Sequence, residues 1–196
     1  MEKEFFENIK KYVREVVGEK GSHNFSHIER VYKYSILISK DLDVDLDIVK
    51  TAALLHDIAR PKEERGETKD HAEQGAIDAK EILNKTGFPK EKIEIVCKCI
   101  LMHNKKKDLP EIKEVRVLKE ADGLDAVGAI GISREFSFNG EEYIWDNSPK
   151  SSLNILKRNS EADYFILPIA KKIAEEKVKF TKLFCNQFIK EQSITI

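Results

Sequence analysis

Only three cysteines occur in 196 residues, an odd and small number that offers no disulfide framework. Neither sign of charge is in excess: 34 Lys and Arg face 35 Asp and Glu, for a net charge of −1. A general nucleic-acid binder usually carries a basic surplus, so no nucleic-acid polymer is expected as a partner. No apolar run approaches the roughly 18–20 residues that a membrane span requires, so no membrane partner is expected either. The opening Met-Glu-Lys-Glu-Phe-Phe lacks the charged-then-apolar layout of a signal peptide. Strand-like alternation persists nowhere, and there is no internal repeat, low-complexity tract or linker. The expectation is a reduced, cytoplasmic protein. What is present is a chain 41% hydrophobic and 35% charged, with enough apolar material for a core and a length that usually folds as one domain.

Apolar residues recur at helical spacing almost throughout, which predicts an all-α, single-domain helical bundle over 1–196, with a core at 25–126 and C-terminal helices at 127–193 packing on it. Phe5, Phe6, Ile9, Val13, Val16 and Val17 form one stripe, closed by Gly18 and Gly21. Ser26-His27-Ile28-Glu29 reads as a capping box that opens a second helix. A third helix is expected to start in the acidic run 41–47 and to stop before Pro61, with His56 and Asp57 in its last turns. Asp70 and Glu73 form another cap, with His71 in the first turn. Further helices are expected at about 92–103, at a segment carrying Val115, Leu118, Asp122 and Asp125, at 153–157 and at 168–191. The stretch 138–150, with Asn139-Gly140 and Ser148-Pro149, reads as a loop. In it Tyr143 and Trp145 either form a lid that stacks on a base or plug a core edge.

Five histidines are an ordinary number, but each falls at or near a helix end, and His27, His56, His71 and His103 fall on four different helices. Helices packed around one centre can point such ends into a common cavity. A divalent cation needs nitrogen and oxygen donors that converge from rigid elements. His56-Asp57 supplies both kinds at adjacent positions, and a carboxylate near a helix C-terminus opposes the macrodipole, so Asp57 has no local reason to stand there. Read individually, each residue keeps a bland alternative. His27 and His71 can be first-turn residues on solvated turns, and His103 a cation stabilised at a helix C-terminus.

The words Asn24-Phe25-Ser26-His27-Ile28-Glu29-Arg30-Val31, Ala52-Ala53-Leu54-Leu55-His56-Asp57-Ile58-Ala59-Arg60, His71-Ala72-Glu73 and Ala121-Asp122, followed by Gly128-Ala129-Ile130-Gly131-Ile132-Ser133-Arg134, resemble the HD-domain metal-dependent phosphohydrolase superfamily, in a bacterial and archaeal branch. The resemblance spans about 25–191. It implies an all-α fold and ligation of a divalent metal ion by His27, His56, Asp57 and Asp122. Mn²⁺ is the favoured ion, with Mg²⁺, Co²⁺, Ni²⁺, Fe²⁺ and Zn²⁺ as alternatives. Such a cation acidifies a bound water and polarises a phosphoryl oxygen.

The resemblance makes His71, His103 and Glu73 candidates for proton transfer, with the two histidines alternatively serving a second metal. Glu73 can equally be only the second half of its cap. Arg60, Lys62 and Arg134 are candidate phosphate binders, as are Arg30 and Lys119. Asp125 orients a ligand histidine, caps a helix or pairs with Arg134. The implied substrate is a small phosphorylated molecule, most readily a nucleotide, with deoxynucleoside triphosphates cleaved to monophosphate and pyrophosphate. A phosphodiesterase or 5′-nucleotidase with the same metal is the enzymatic alternative. A non-catalytic nucleotide- or metal-binding regulatory module is the alternative of another class. Oligomeric state stays open, a homodimer included.

Overall fold

The computed structural model describes residues 1, 3–105, 109–141, 153–157 and 164–193. Among the described residues every regular element is helical, and none is long and apolar enough to cross a membrane. The chain forms two compact units, Met1–Asp122 and Gly123–Ile196.

The first unit is built around one helix that is buried over most of its length. Helices α1 (Lys3–Val17), α2 (Phe25–Ile38), α3 (Leu46–Leu55), α4 (Arg60–Glu64), α5 (His71–Lys85) and α6 (Lys90–Met102) follow in order, and α7 (Lys113–Asp125) carries the last residues of this unit. In α3 the residues Ile48, Val49, Thr51, Ala52, Ala53, Leu54 and Leu55 are all buried. Helices α1, α2 and α6 pack on it, and α5 packs on α6. Small residues allow this closeness. Added to Gly75 in α5, a Cβ would lie 3.3 Å from Ile100 Cγ2 and 3.5 Å from the His56 carbonyl oxygen.

The second unit holds α8 (Gly128–Glu141), α9 (153–157) and α10 (Pro168–Gln192). Ile132, Leu153, Leu156 and Cys185 form its core, with Phe136, Phe184 and Phe188 packed against them. Gly128 takes φ +76°, a left-handed value that suits glycine, and its N–H donates to Thr181 Oγ1 at 2.7 Å.

Three local expectations are corrected. The cap of α2 is Asn24, whose side chain accepts from the His27 N–H, and not Ser26. Phe25 is buried inside the first turn, which draws the start of the helix two residues back. Pro61 does not stop α3, which ends at Leu55; it lies in the first turn of α4, where its missing N–H costs nothing. Residues 138–141 belong to the end of α8 rather than to a loop. Tyr143 and Trp145 lie outside the described residues.

Leu54 is fully buried and Leu46 is 43% exposed on the same helix. Leu54→Ala is expected to cost about 2–5 kcal/mol in urea unfolding, and Leu46→Ala at most about 0.5 kcal/mol. Equal losses would contradict the central position of α3.

Candidate metal centre

The donors gather where helix ends meet inside the first unit. His27 is in the first turn of α2. His56 is the C-cap of α3, with Asp57 next to it. His71 is the first residue of α5, and His103 is the C-cap of α6. All five are buried. Asp122, on α7, has 28% of its side chain exposed.

Asp57 lies at the centre. Its Oδ2 is 3.6 Å from the Nε2 atoms of both His27 and His56. Its Oδ1 is 3.5 Å from His71 Nε2 and 3.8 Å from His103 Nε2. His27 Nε2 lies 3.2 Å from His56 Nε2 and 3.5 Å from Asp122 Oδ1. Two donor triads therefore share one carboxylate, His27–His56–Asp57 and Asp57–His71–His103, and within each the ligand atoms lie within 4.8 Å of one another. The rings follow one another edge to face, His27 to His56 at 5.2 Å, His56 to His103 at 5.3 Å and His103 to His71 at 5.4 Å between centroids.

Backbone chemistry turns the rings inward. The last carbonyls of a helix lack intrahelical donors. His56 Nδ1–H donates to the Ala53 carbonyl at 2.9 Å, and His103 Nδ1–H to the Ile100 carbonyl at 2.6 Å. Each bond satisfies a helix-end carbonyl, fixes the tautomer and leaves Nε2 as the acceptor that faces Asp57. His71 is braced differently. Its Nδ1 lies 3.1 Å from Glu63 Oε1, which also accepts the His71 backbone N–H at 3.1 Å. Glu63 escaped the sequence reading, since nothing in the spacing of α4 and α5 announces the pair. His23, also not singled out, sets its ring edge on to His27 at 5.8 Å.

The electrostatics call for a cation. Burial pushes the imidazoles of His56 and His103 toward the neutral form, His103 down to about 4. Burial presses the Asp57 carboxyl upward, but His56, Arg60 and His27 outweigh it and hold it well below the ordinary carboxylate range. Asp122 is likewise held low, burial being outweighed by His27, His56 and His103. Carboxylates and imidazole nitrogens converging at this spacing suit a divalent cation. Asp57 Oδ1 and His71 Nε2 are buried without a hydrogen-bond partner, an arrangement that costs roughly 1–3 kcal/mol per atom if nothing else meets them. The residues fit a metal ion.

The remaining candidates each have partners of their own. Arg60 is beside the donors, with Nη1 2.6 Å from Glu63 Oε2 and Nε 3.6 Å from Asp57 Oδ1. Lys62 pairs with both oxygens of Asp78, at 2.9 and 2.8 Å, and lines a cleft of about 270 Å³ with Tyr12, Ile58 and Arg65 to which none of the donors contributes. Arg134 pairs with buried Asp125 at 3.0 Å within the second unit. Glu73 is exposed. It does not complete its capping box, because the Asp70 N–H donates to Thr68 Oγ1 at 3.4 Å, while Asp70 Oδ1 accepts from the N–H groups of Ala72 and Glu73. Lys119 turns its amino group on to backbone carbonyls.

Residues 24–127 match the model of the HD domain. YpgQ of Bacillus subtilis, described as uncharacterised, is 28% identical, with 94% of this chain and 92% of that protein covered. A predicted HD-superfamily hydrolase from an uncultured Thermotogales bacterium, known from its crystal structure, is 31% identical, with 95% and 92% of the two chains covered and a TM-score of 0.67. The crystal structure of B. subtilis YpgQ in complex with ADP has a TM-score of 0.73 at 27% identity, over 95% of this chain and 97% of that one.

Glu63 supplies a pH test. Burial pushes its carboxyl up, but the hydrogen bonds and charge of His71 and the charge of Arg60 hold it below its ordinary value of 4.5. A carboxyl depressed in the folded state adds stability above the unfolded value, and that stability is lost as pH falls through the folded value. Glu63→Gln should be less stable than the parent at neutral pH, and the gap should close below roughly pH 4. A gap of equal size at both pH values in chemical denaturation would refute this pairing.

Proposed function

The chain belongs to the HD-domain family, and on that footing we propose that it is a metal-dependent phosphohydrolase acting on a small phosphorylated metabolite. The observation that carries the reading is the buried Asp57 carboxylate, shared by two imidazole pairs and left with an unpartnered oxygen. His27, His56, Asp57 and Asp122 would hold a divalent cation, with Mn²⁺ the favoured ion. When bound, it would supply Lewis acidity toward a phosphoryl oxygen and toward an attacking water.

The chain's own groups take the other tasks. Asp122 is the partly exposed donor and so forms the side of the cluster open to substrate. His103, kept neutral by burial, presents Nε2 as an acceptor. His71, whose Nδ1 lies against Glu63 Oε1, is assigned to proton transfer to a leaving oxygen. Arg60, whose Nε lies 3.6 Å from Asp57 Oδ1, is assigned to a substrate phosphate although it also pairs with Glu63, and its planar fork suits that partner. Lys62 and Arg134, already engaged by Asp78 and Asp125, are left out of this assignment.

A nucleotide is the favoured substrate class, supported by the structure of YpgQ in complex with ADP. Within that class we favour deoxynucleoside triphosphates, cleaved to monophosphate and pyrophosphate.

A panel of phosphorylated metabolites with Mn²⁺, scored for the phosphate species released, tests the proposal. Pyrophosphate from a triphosphate is expected. Inorganic phosphate from monophosphates would indicate a nucleotidase instead, and tight binding without turnover a regulatory module. EDTA should remove activity and Mn²⁺, Co²⁺ or Mg²⁺ restore it. Asp57→Asn should lower turnover by more than the ~10–100-fold typical of an outer-shell partner, with the helical circular dichroism retained. Full activity in that variant would discredit the mechanism.

A further inference from the structure

Lys119 is only 5% exposed, a rare state for lysine that requires local compensation. It stands on α7 one turn before Asp122, so its side chain rises from the helix that carries that donor. Its Nζ donates to the Lys105 carbonyl at 2.5 Å and lies 3.5 Å from the His103 carbonyl. Both carbonyls belong to the turn after α6, the negative end of that helix, where an amino group is favoured.

The chain of contacts continues. Lys105 Nζ pairs with Asp70 Oδ2 at 3.0 Å. Asp70 Oδ1 caps α5 by accepting from the Ala72 N–H at 2.8 Å and the Glu73 N–H at 3.2 Å, and the first residue of α5 is His71. A belt of side chain–backbone contacts thus joins α7 with Asp122, the end of α6 with His103 and the start of α5 with His71.

Resting on the phosphohydrolase reading above, we infer that Lys119 is a positioning residue: it fixes the 103–105 turn so that His103 Nε2 stays against Asp57 Oδ1 and the Asp57–His71–His103 triad stays assembled beside the first. The same turn passes the constraint to His71 through Lys105 and Asp70. A lysine in the word Lys-Glu-Ala-Asp122 reads as a phosphate binder or a solvated cation, and its burial against backbone carbonyls assigns it instead to the frame of the site.

The test compares Lys119→Met, which removes the donor at similar volume, with Lys119→Arg, which restores it. In metal-free protein labelled with ¹⁵N-histidine, Lys119→Met should shift the ring signals of His103 while those of His27 and His56 stay in place, and Lys119→Arg should return them toward the parent positions. With Mn²⁺ and a nucleoside triphosphate, Lys119→Met should lose about 10–100-fold in kcat, the usual effect of an outer-shell partner, with little change in KM. Lys119→Arg should recover most of this. Should Lys119→Met not fold, Lys119→Gln, whose shorter stem withdraws the donor from the 103–105 carbonyls, takes its place with the same expected outcomes. Unmoved His103 signals would overturn the inference, as would met and arg variants alike in kcat, or a raised KM at parental kcat, which would mean a phosphate contact. If the parent hydrolyses nothing with Mn²⁺, the phosphohydrolase reading fails, and the ring signals of the metal-free protein still decide the role of Lys119.

Discussion

A carboxylate enclosed by imidazoles sets the terms for the whole first unit. Asp57 is sealed from solvent at the end of a helix, where the dipole opposes a negative charge, and removing a carboxylate from water costs several kcal/mol unless partners compensate. Nε2 atoms from four helix ends face it, divided between its two oxygens, and because those of His56 and His103 are acceptors, a cation held between them would supply the compensation. That division makes the site a shared centre rather than a chance cluster. It also explains the packing around it: the last turns of α3, Thr51 to Leu55, are buried without a break and carry His56-Asp57 into the interior, and α5 needs Gly75 to approach the His56 turn.

Helix ends do the positioning. His56 and His103 solve one problem in one way. As C-caps they spend Nδ1–H on a helix-end carbonyl, and Nε2 is left aimed inward without a dedicated support residue. His71, at an N-terminus, has no such carbonyl and takes Glu63 instead. Precision in this site therefore derives from the secondary structure, and the side chains that reinforce it, Glu63, Asp70 and Lys119, act on helix ends as much as on the rings.

How much of this could be read from the residues varies with the range of the interaction. The helical periodicity is local, and it was legible. So was the gathering of His27, His56, Asp57 and Asp122, through the words around them. The Asp70 cap was legible, but the α2 cap was not, because Ser26-x-x-Glu29 satisfies the same pattern as well as Asn24 does, and only the burial of Phe25 decides between them. Pro61 marks a helix boundary either way, and its side of the boundary depends on the tight turn at 56–59. Glu63 and Lys119 were illegible in their roles, since each acts across a tertiary contact on which sequence spacing is silent. The pairing of Lys62 with Asp78 and of Arg134 with Asp125 was hidden for the same reason.

The claim at the centre is that the donors around Asp57 hold a divalent cation. Crystals grown with Mn²⁺ and measured on both sides of the manganese absorption edge test it directly. The account predicts an anomalous peak at coordination distance from His27 Nε2, His56 Nε2 and the carboxylates of Asp57 and Asp122. An interior free of anomalous density at saturating Mn²⁺, or a peak bound only by surface carboxylates, would contradict it.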